Sequence, residues 1–275
     1  MHSARSVWLF CSFLIAISTW GQATSSQSQG ATIDPSWVTH PIRDPQAVQT
    51  VQASVTAMGG AELISQIQSY IVQGQVQRVS VTNNPSGTIV WTVAGTESRS
   101  DYPSAQGTAT LASGHGNGFQ NANGTITKVP PHIFRSLFVP ALVASVLLRE
   151  LQDSNYSVQN GGTSTIGSEP VTIIKTSSQA TRMESMVTPQ TWYFDSGTKL
   201  PVRVEYREPD PKILSRGVHA SYDLSGYEPI QGVLYPLKAI KSIDQHQNAV
   251  LQVSSIQPNA TVAPSVFDSP AGGVQ

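Results

Sequence analysis

The sequence predicts an α+β protein in which a large antiparallel sheet carries most of the chain. Three observations lead there. Apolar and polar residues alternate from Tyr70 onward, the period of half-buried strands. A helical stripe with its own cap precedes them. A dense apolar segment, 131–151, interrupts the strands and carries helical signals of its own.

The first 23 of the 275 residues read as a secretory signal peptide, with cleavage after Ala23. Arg5 supplies the positive start, "VWLFCSFLIAI" (7–17) the apolar stretch, and Gly21–Ala23 the small residues. A periplasmic or secreted protein is expected, with no transmembrane anchor once the peptide is removed. Cys11, the single cysteine, lies inside the apolar stretch, so the mature chain has no disulfide and no thiolate metal site. Residues 24–43 are Ser/Gln-rich and read as a linker or loosely held arm. Residues 44–270 read as one domain and 271–275 as a tail.

Asp44-Pro45 opens a helix, with Asp as N-cap and Pro at the first helical position. Val48, Val51, Val55 and Met58 form its buried stripe, Gly59-Gly60 ends it, and 61–67 adds a short turn. Tyr70, Val72 and Val76 begin a strand, and "TNNPSG" turns the chain. Ile89, Trp91 and Val93 mark the next strand, and 108–113 another. The Gly/Asn-rich run 114–124 reads as a connection. In 131–151, Pro131 opens one helix and Pro140 splits off a second. Strands then follow at about 164–167, 170–176, 190–194, 198–207, 216–224, 233–243 and 249–257.

Composition narrows function. Charged residues make up 12 % of the chain and the net charge is −1, so the basic footprint of a nucleic-acid binder is missing. No nicotinamide, flavin or nucleotide fingerprint follows a strand, and no cofactor is expected. The histidines (His40, His115, His132, His219, His246) form no H-x-H or H-x-x-x-H pair, so no metal site is expected. Glu205, Glu208 and Asp210 alternate with Arg203 and Arg207, the pattern of cross-strand ion pairs on a polar face.

Ser196-Gly-Thr-Lys199 matches S-x-x-K, the nucleophile motif of penicillin-recognising acylases, which needs a helix. Here it lies between two strand patterns. Trp192 and Phe194 share a face, as do Leu200, Val202, Val204 and Tyr206. An odd loop brings the two sets onto one side, and Asp195-Ser196-Gly197 supplies three residues, with Gly197 in the left-handed position. Pro201 points to an edge strand or a bulge. The motif is therefore a hairpin, and no catalytic residue is assigned.

The apolar segment carries the functional hint. As a lid over a curved sheet it would enclose a hydrophobic cavity. The strands offer Trp91, Val93, Trp192, Phe194, Val202, Val204 and Tyr235 as cavity walls. The segment itself offers Phe134, Phe138, Leu142 and Val146.

The order of elements resembles the bacterial lipoprotein carrier (LolA/LolB-like) superfamily. So do "AMGG" (57–60), "WYFDSGTKLPVRVE" (192–205), "GVLYPLKAI" (232–240) and Phe267-Asp-Ser-Pro270. The resemblance implies an incomplete antiparallel barrel, or half-barrel, with an N-terminal helix and a helical lid inserted between strands. It implies a monomeric, non-enzymatic carrier of a lipid or lipoprotein acyl chain. Its partners would be that hydrophobic ligand and an envelope lipoprotein or other protein. Arg99 and Arg135 are its candidates for an arginine that latches the lid. No cysteine follows the signal peptide, unlike the membrane-anchored branch. Two other readings stay open: an envelope-stress or peptide-interaction module on the same fold, and a hydrolase whose site is assembled from distant residues.

Overall fold

The computed structural model describes residues 40–79, 85–130, 139–209 and 217–270. The signal peptide, most of the 24–43 arm, Phe134, Phe138, Arg135, His132, Asp210 and the tail lie outside the described residues.

Asp44 caps α1 (Pro45–Ala57) as its position predicts. Its Oδ1 accepts hydrogen bonds from Gln46 N (2.8 Å) and Ala47 N (3.0 Å), two amides without a partner in the helix. Ala47, Val51, Ser54 and Val55 form the buried stripe, with Val48 at its half-buried edge. Gly59 follows at φ +127°, and a Cβ there would stand 2.6 Å from Gly232 O. Leu234 N donates to Met58 O at 2.9 Å. Two of the quoted stretches, "AMGG" and "GVLYPLKAI", are therefore one contact: the helix end seats on a hairpin turn. A short α2 (Ala61–Ser65) follows.

Thirteen strands form one antiparallel sheet. The first six are β1 (Ser69–Arg78), β2 (Gly87–Ala94), β3 (Glu97–Ser104), β4 (Gly107–Gly114), β5 (Asn117–Ala122) and β6 (Thr125–Lys128). A 3₁₀ turn at Pro140–Leu142 then leads into α3 (Val143–Gln152). After it come β7 (Tyr156–Ile166), β8 (Glu169–Ser178), a short α4 (Arg182–Val187), β9 (Gln190–Asp195) and β10 (Pro201–Pro209). The last strands are β11 (Gly217–Ile230), β12 (Val233–Ile243) and β13 (His246–Pro258). The spatial order is β6-β5-β4-β3-β2-β1-β13-β12-β11-β10-β9-β8-β7. β6 and β7 are the two edges, so the sheet is not closed: it is a half-barrel, with α3 on the connection between its edges.

Four differences from the sequence reading have physical causes. The Gly/Asn-rich run is not a connection but β5, and it buries Phe119 and Gln120. Gln120 Nε2 donates to Tyr102 Oη (2.8 Å), and Phe119 shares its face with Ala112 directly opposite. Position in the sheet overrides the low strand propensity of glycine and asparagine. β3 is polar with no alternation in burial, and the first half of β7 buries Tyr156, Ser157 and Val158 in succession, so the pattern hid both. Glu208 does not share the polar face with Arg203 and Glu205: it lies on the face of Val204 and Tyr206, while Arg203 pairs across to Asp223 (2.5 Å).

The fourth is the S-x-x-K hairpin. Its loop holds four residues, 196–199, closed by Asp195 N to Leu200 O and Lys199 N to Asp195 O, both 2.9 Å. The left-handed residue is Lys199 (φ +64°), not Gly197. An even loop would turn the two apolar sets to opposite sides. A bulge between Pro201 and Arg203 adds the missing residue, Val202, and restores parity: Trp192 pairs with Val204. Asp195 Oδ1 accepts from Gly197 N, Thr198 N and Thr198 Oγ1, which holds its carboxyl below the usual range. Lys199 Nζ donates to the Ser196 carbonyl oxygen, so the amine meets backbone and not the hydroxyl.

Candidate ligand-binding face

Strand alternation and register place one apolar row after another on the inner face. Val72 on β1 lies opposite Trp91 on β2 and near Ile256 on β13, with Tyr70 opposite Val93 two residues along. Across β12 and β11 the face continues as Tyr235, Ala239, Leu224 and Ala220, then as Val204, Trp192 and Ile174. Trp192, Phe194, Val204 and Tyr235 are almost completely buried, Leu142 is buried, and Trp91, Val93, Val146 and Val202 are half-buried. Apart from Val202, the extra residue of the bulge, these described wall candidates belong to one hydrophobic cluster with α1 and α3.

The helices cover one end of this face. α3 packs against α1, α2, β7 and β12, with Val143, Ala144, Leu147 and Leu148 buried. Tyr70 Oη shares a hydrogen bond with Ser145 Oγ (2.5 Å), and the Tyr70 and Tyr235 rings meet edge to face, centroids 6.3 Å apart. Between α2 and α3 lies an open cleft of about 450 Å³. Its lining mixes apolar Ile64, Ile67 and Leu148 with polar Arg149, Gln152 and Asp153.

Arg43 fixes this cover. Its Nη1 donates to Asp153 O (3.1 Å), Tyr156 O (3.1 Å) and Glu150 O (3.4 Å), and its Nη2 to Leu151 O (2.5 Å). A cation at a helix C-terminus meets carbonyls without helical partners and the negative end of the dipole. Asp44 N to Val158 O and Val158 N to Ile42 O then pin the same segment to the β7 edge. Arg99, a candidate for a lid-latching arginine, pairs with Asp101 and donates to Val266 O near the C-terminus.

In a search of solved structures the chain matches a LolA superfamily protein from Nitrosomonas europaea at TM-score 0.52 and 12 % identity, covering 81 % of this chain and 97 % of that one. The fold is LolA-like. A DUF1329 family protein from Desulfovibrio piger matches at TM-score 0.49 and 15 % identity (81 % and 98 % covered). The lipoprotein LppX of Mycobacterium tuberculosis matches at TM-score 0.30 and 13 % identity (80 % and 100 % covered). No family model and no curated protein matches the sequence.

Within this LolA-like half-barrel the sequence reading missed Glu150. The residue sits on the buried face of α3, in line with Val143 and Leu147, and is 1 % exposed. Burial raises its carboxyl pKa from 4.5 to about 7, against the lowering effects of Arg149, Thr176 and Trp192. Its Oε2 has no hydrogen-bond partner among the described residues. The signal was readable: a carboxylate on an otherwise apolar stripe. Arg43 gave none, because its partners are backbone carbonyls more than a hundred residues away. Among the described residues there is no cluster of three metal-ligating side chains, and no helix is long and apolar enough to cross a membrane.

Proposed function

We propose that this chain is an exported, non-enzymatic carrier or binding protein for a hydrophobic ligand, a lipid or lipoprotein acyl chain held between the sheet and its helical cover. The observation that carries the reading is the continuous apolar inner face of an unclosed sheet, roofed at one end by helices that are themselves latched. Trp91, Val93, Leu142, Val146, Trp192, Phe194, Val204 and Tyr235 would contact the chain, with Phe134 and Phe138 contributed from the same segment as α3. Each CH₂ taken from water adds about 0.8 kcal/mol, so an acyl chain binds without any charged group. Opening the cover needs Arg43 to leave the α3 carbonyls, which makes that contact the gate. The cleft between α2 and α3 is the point of entry.

The secretory pattern of residues 1–23 supports an envelope or extracellular location. Native mass spectrometry and lipid extraction of the purified protein test the reading. Co-purified lipid, or stoichiometric uptake of an added fatty acid, is expected; repeated failure of both would end it. The open edge of β7 from Asn160 to Ile166 favours one second reading, a protein partner adding a strand there. A pull-down that captures a partner from a lipid-free preparation would point to it.

A further inference from the structure

A helix that closes over an apolar face is expected to present apolar side chains to it. α3 buries Val143, Ala144, Leu147 and Leu148, and with them a carboxyl, Glu150. Thr176 on β8 and Trp192 on β9 share the inner face beneath it, and both are buried, with Trp192 Nε1 donating to Thr176 Oγ1 at 3.3 Å. The Glu150 Oε2 is left without a hydrogen-bond partner among the described residues. An ionised carboxylate out of water needs partners on both oxygens, whereas the acid form is neutral and needs fewer. The closed arrangement therefore suits the protonated group. Burial holds it in that form up to about pH 7, against Arg149, Thr176 and Trp192, which favour the charge.

The groups around Glu150 leave that balance in place. Arg149 also hydrogen-bonds Tyr156 on β7, whose hydroxyl is pushed up by burial and next to which Asp153 adds negative charge. Arg43 reaches the Glu150 backbone oxygen (3.4 Å) and three further carbonyls. Glu184 on α4 accepts from Ser178 Oγ (2.5 Å), two residues along β8 from Thr176. The buried residues of α1 are Ala47, Val51, Ser54 and Val55, Glu62 on α2 is exposed, and β12 brings buried Tyr235 and exposed Lys238.

α3 is also an element that can lift without breaking a strand pair. It lies on the connection between the two edges of the sheet. Its hydrogen bonds to the rest of the chain include one from Ser145 to Tyr70 and those from its last carbonyls to Arg43. Lifting it wets Glu150, and a wetted carboxyl returns to the ordinary value of 4.5.

We propose that Glu150 makes the α3 cover a proton-controlled gate, closed while the carboxyl is protonated and loosened when it ionises. This rests on the carrier reading for what passes the gate and adds how the gate is set. The closed form holds a proton that the open form releases. Closure is therefore at full strength below 4.5, weakens by up to tenfold per pH unit between 4.5 and about 7, and is weakest above that. Ligand is held in acid and exchanged at neutral or higher pH.

Amide hydrogen exchange of the full chain at pH 5 and pH 7.5, expressed as protection against each amide's intrinsic rate, reads the cover without any ligand. In the wild type the protection of α3, residues 143–152, is expected to fall roughly tenfold or more between the two, with β11 and β12 more protected than α3 at both. In E150Q the protection of α3 should be the same at both. Wild-type protection that does not change with pH, or that falls equally in E150Q, would overturn the inference. So would equal protection of α3 and β11–β12, because Glu150 would then titrate only with global unfolding. Stopped-flow tryptophan quenching by ω-bromoundecanol, a chain with no titration of its own in this range, reads the passage of ligand. Wild type should take it up roughly tenfold or more faster at pH 7.5 than at pH 5, and E150Q at one rate. Equal wild-type rates would overturn the gate and leave the carrier reading standing. No uptake at either pH, with the exchange result as expected, would remove the carrier reading and keep the proton-linked cover.

Discussion

Replacing Glu150 by glutamine should make the protein more stable at pH 8 and leave it unchanged at pH 4. The carboxyl is buried under α3 and keeps its proton to about pH 7, whereas in the unfolded chain it releases it near 4.5. Below 4.5 both states are protonated and the side chain costs nothing extra. Between 4.5 and 7 the unfolded chain binds fewer protons than the folded one, so stability falls as pH rises. Above about 7 the loss is complete. At 1.36 kcal/mol per pH unit, the difference between 4.5 and about 7 amounts to about 3 kcal/mol. Glutamine keeps the shape and cannot ionise, so E150Q recovers that amount at pH 8, about 10 °C in Tm for a domain of this size. Urea unfolding at a series of pH values, followed by circular dichroism, reads it directly. Wild type and E150Q curves that run parallel from pH 4 to pH 8 would refute the reasoning, because the carboxyl would then titrate alike in both states.

Three further outcomes follow from the turn and cover geometry. Lys199→Gly should stabilise the protein by about 1 kcal/mol, since Lys199 and not Gly197 holds the left-handed position, while G197A and S196A should be nearly silent in urea unfolding. Gly59→Ala should cost about 3 kcal/mol by the same measurement, from a Cβ 2.6 Å from Gly232 O together with a φ that alanine resists. Arg43→Met should speed amide hydrogen exchange at the end of α3, residues 148–153, by roughly tenfold or more while β9–β12 stay protected. Uniform exchange across the sheet and α3 would show that Arg43 holds the whole fold and not the cover.

The legible part of this fold is where one local rule decides the outcome. Asp44-Pro45 is a cap followed by a residue with no amide to lose, and α1 starts there. Parity placed Trp192 and Val204 on one side although the loop was misjudged. Burial of both side chains is the stronger demand, and the chain met it with an even loop and a bulge. β5 was hidden because its sequence looks like a turn and only its neighbours β4 and β6 make it a strand. The apolar walls of the candidate site follow from alternation. Its polar parts were less legible: Arg43 reaches backbone carbonyls more than a hundred residues away in sequence. "AMGG" and "GVLYPLKAI" carried the resemblance because they touch, a structural reason that says nothing about a ligand by itself.

The central claim, that an acyl chain lies on the inner face, is tested most directly by tryptophan fluorescence with a bromine-labelled fatty acid. Trp91 is half-buried opposite Val72, and Trp192 is buried opposite Val204 on the far side of the same face. Bromine quenches only within contact range. The account predicts saturable quenching near one ligand per chain, reduced in W91F and in W192F. Quenching that is absent, or that persists undiminished in both variants, would contradict it.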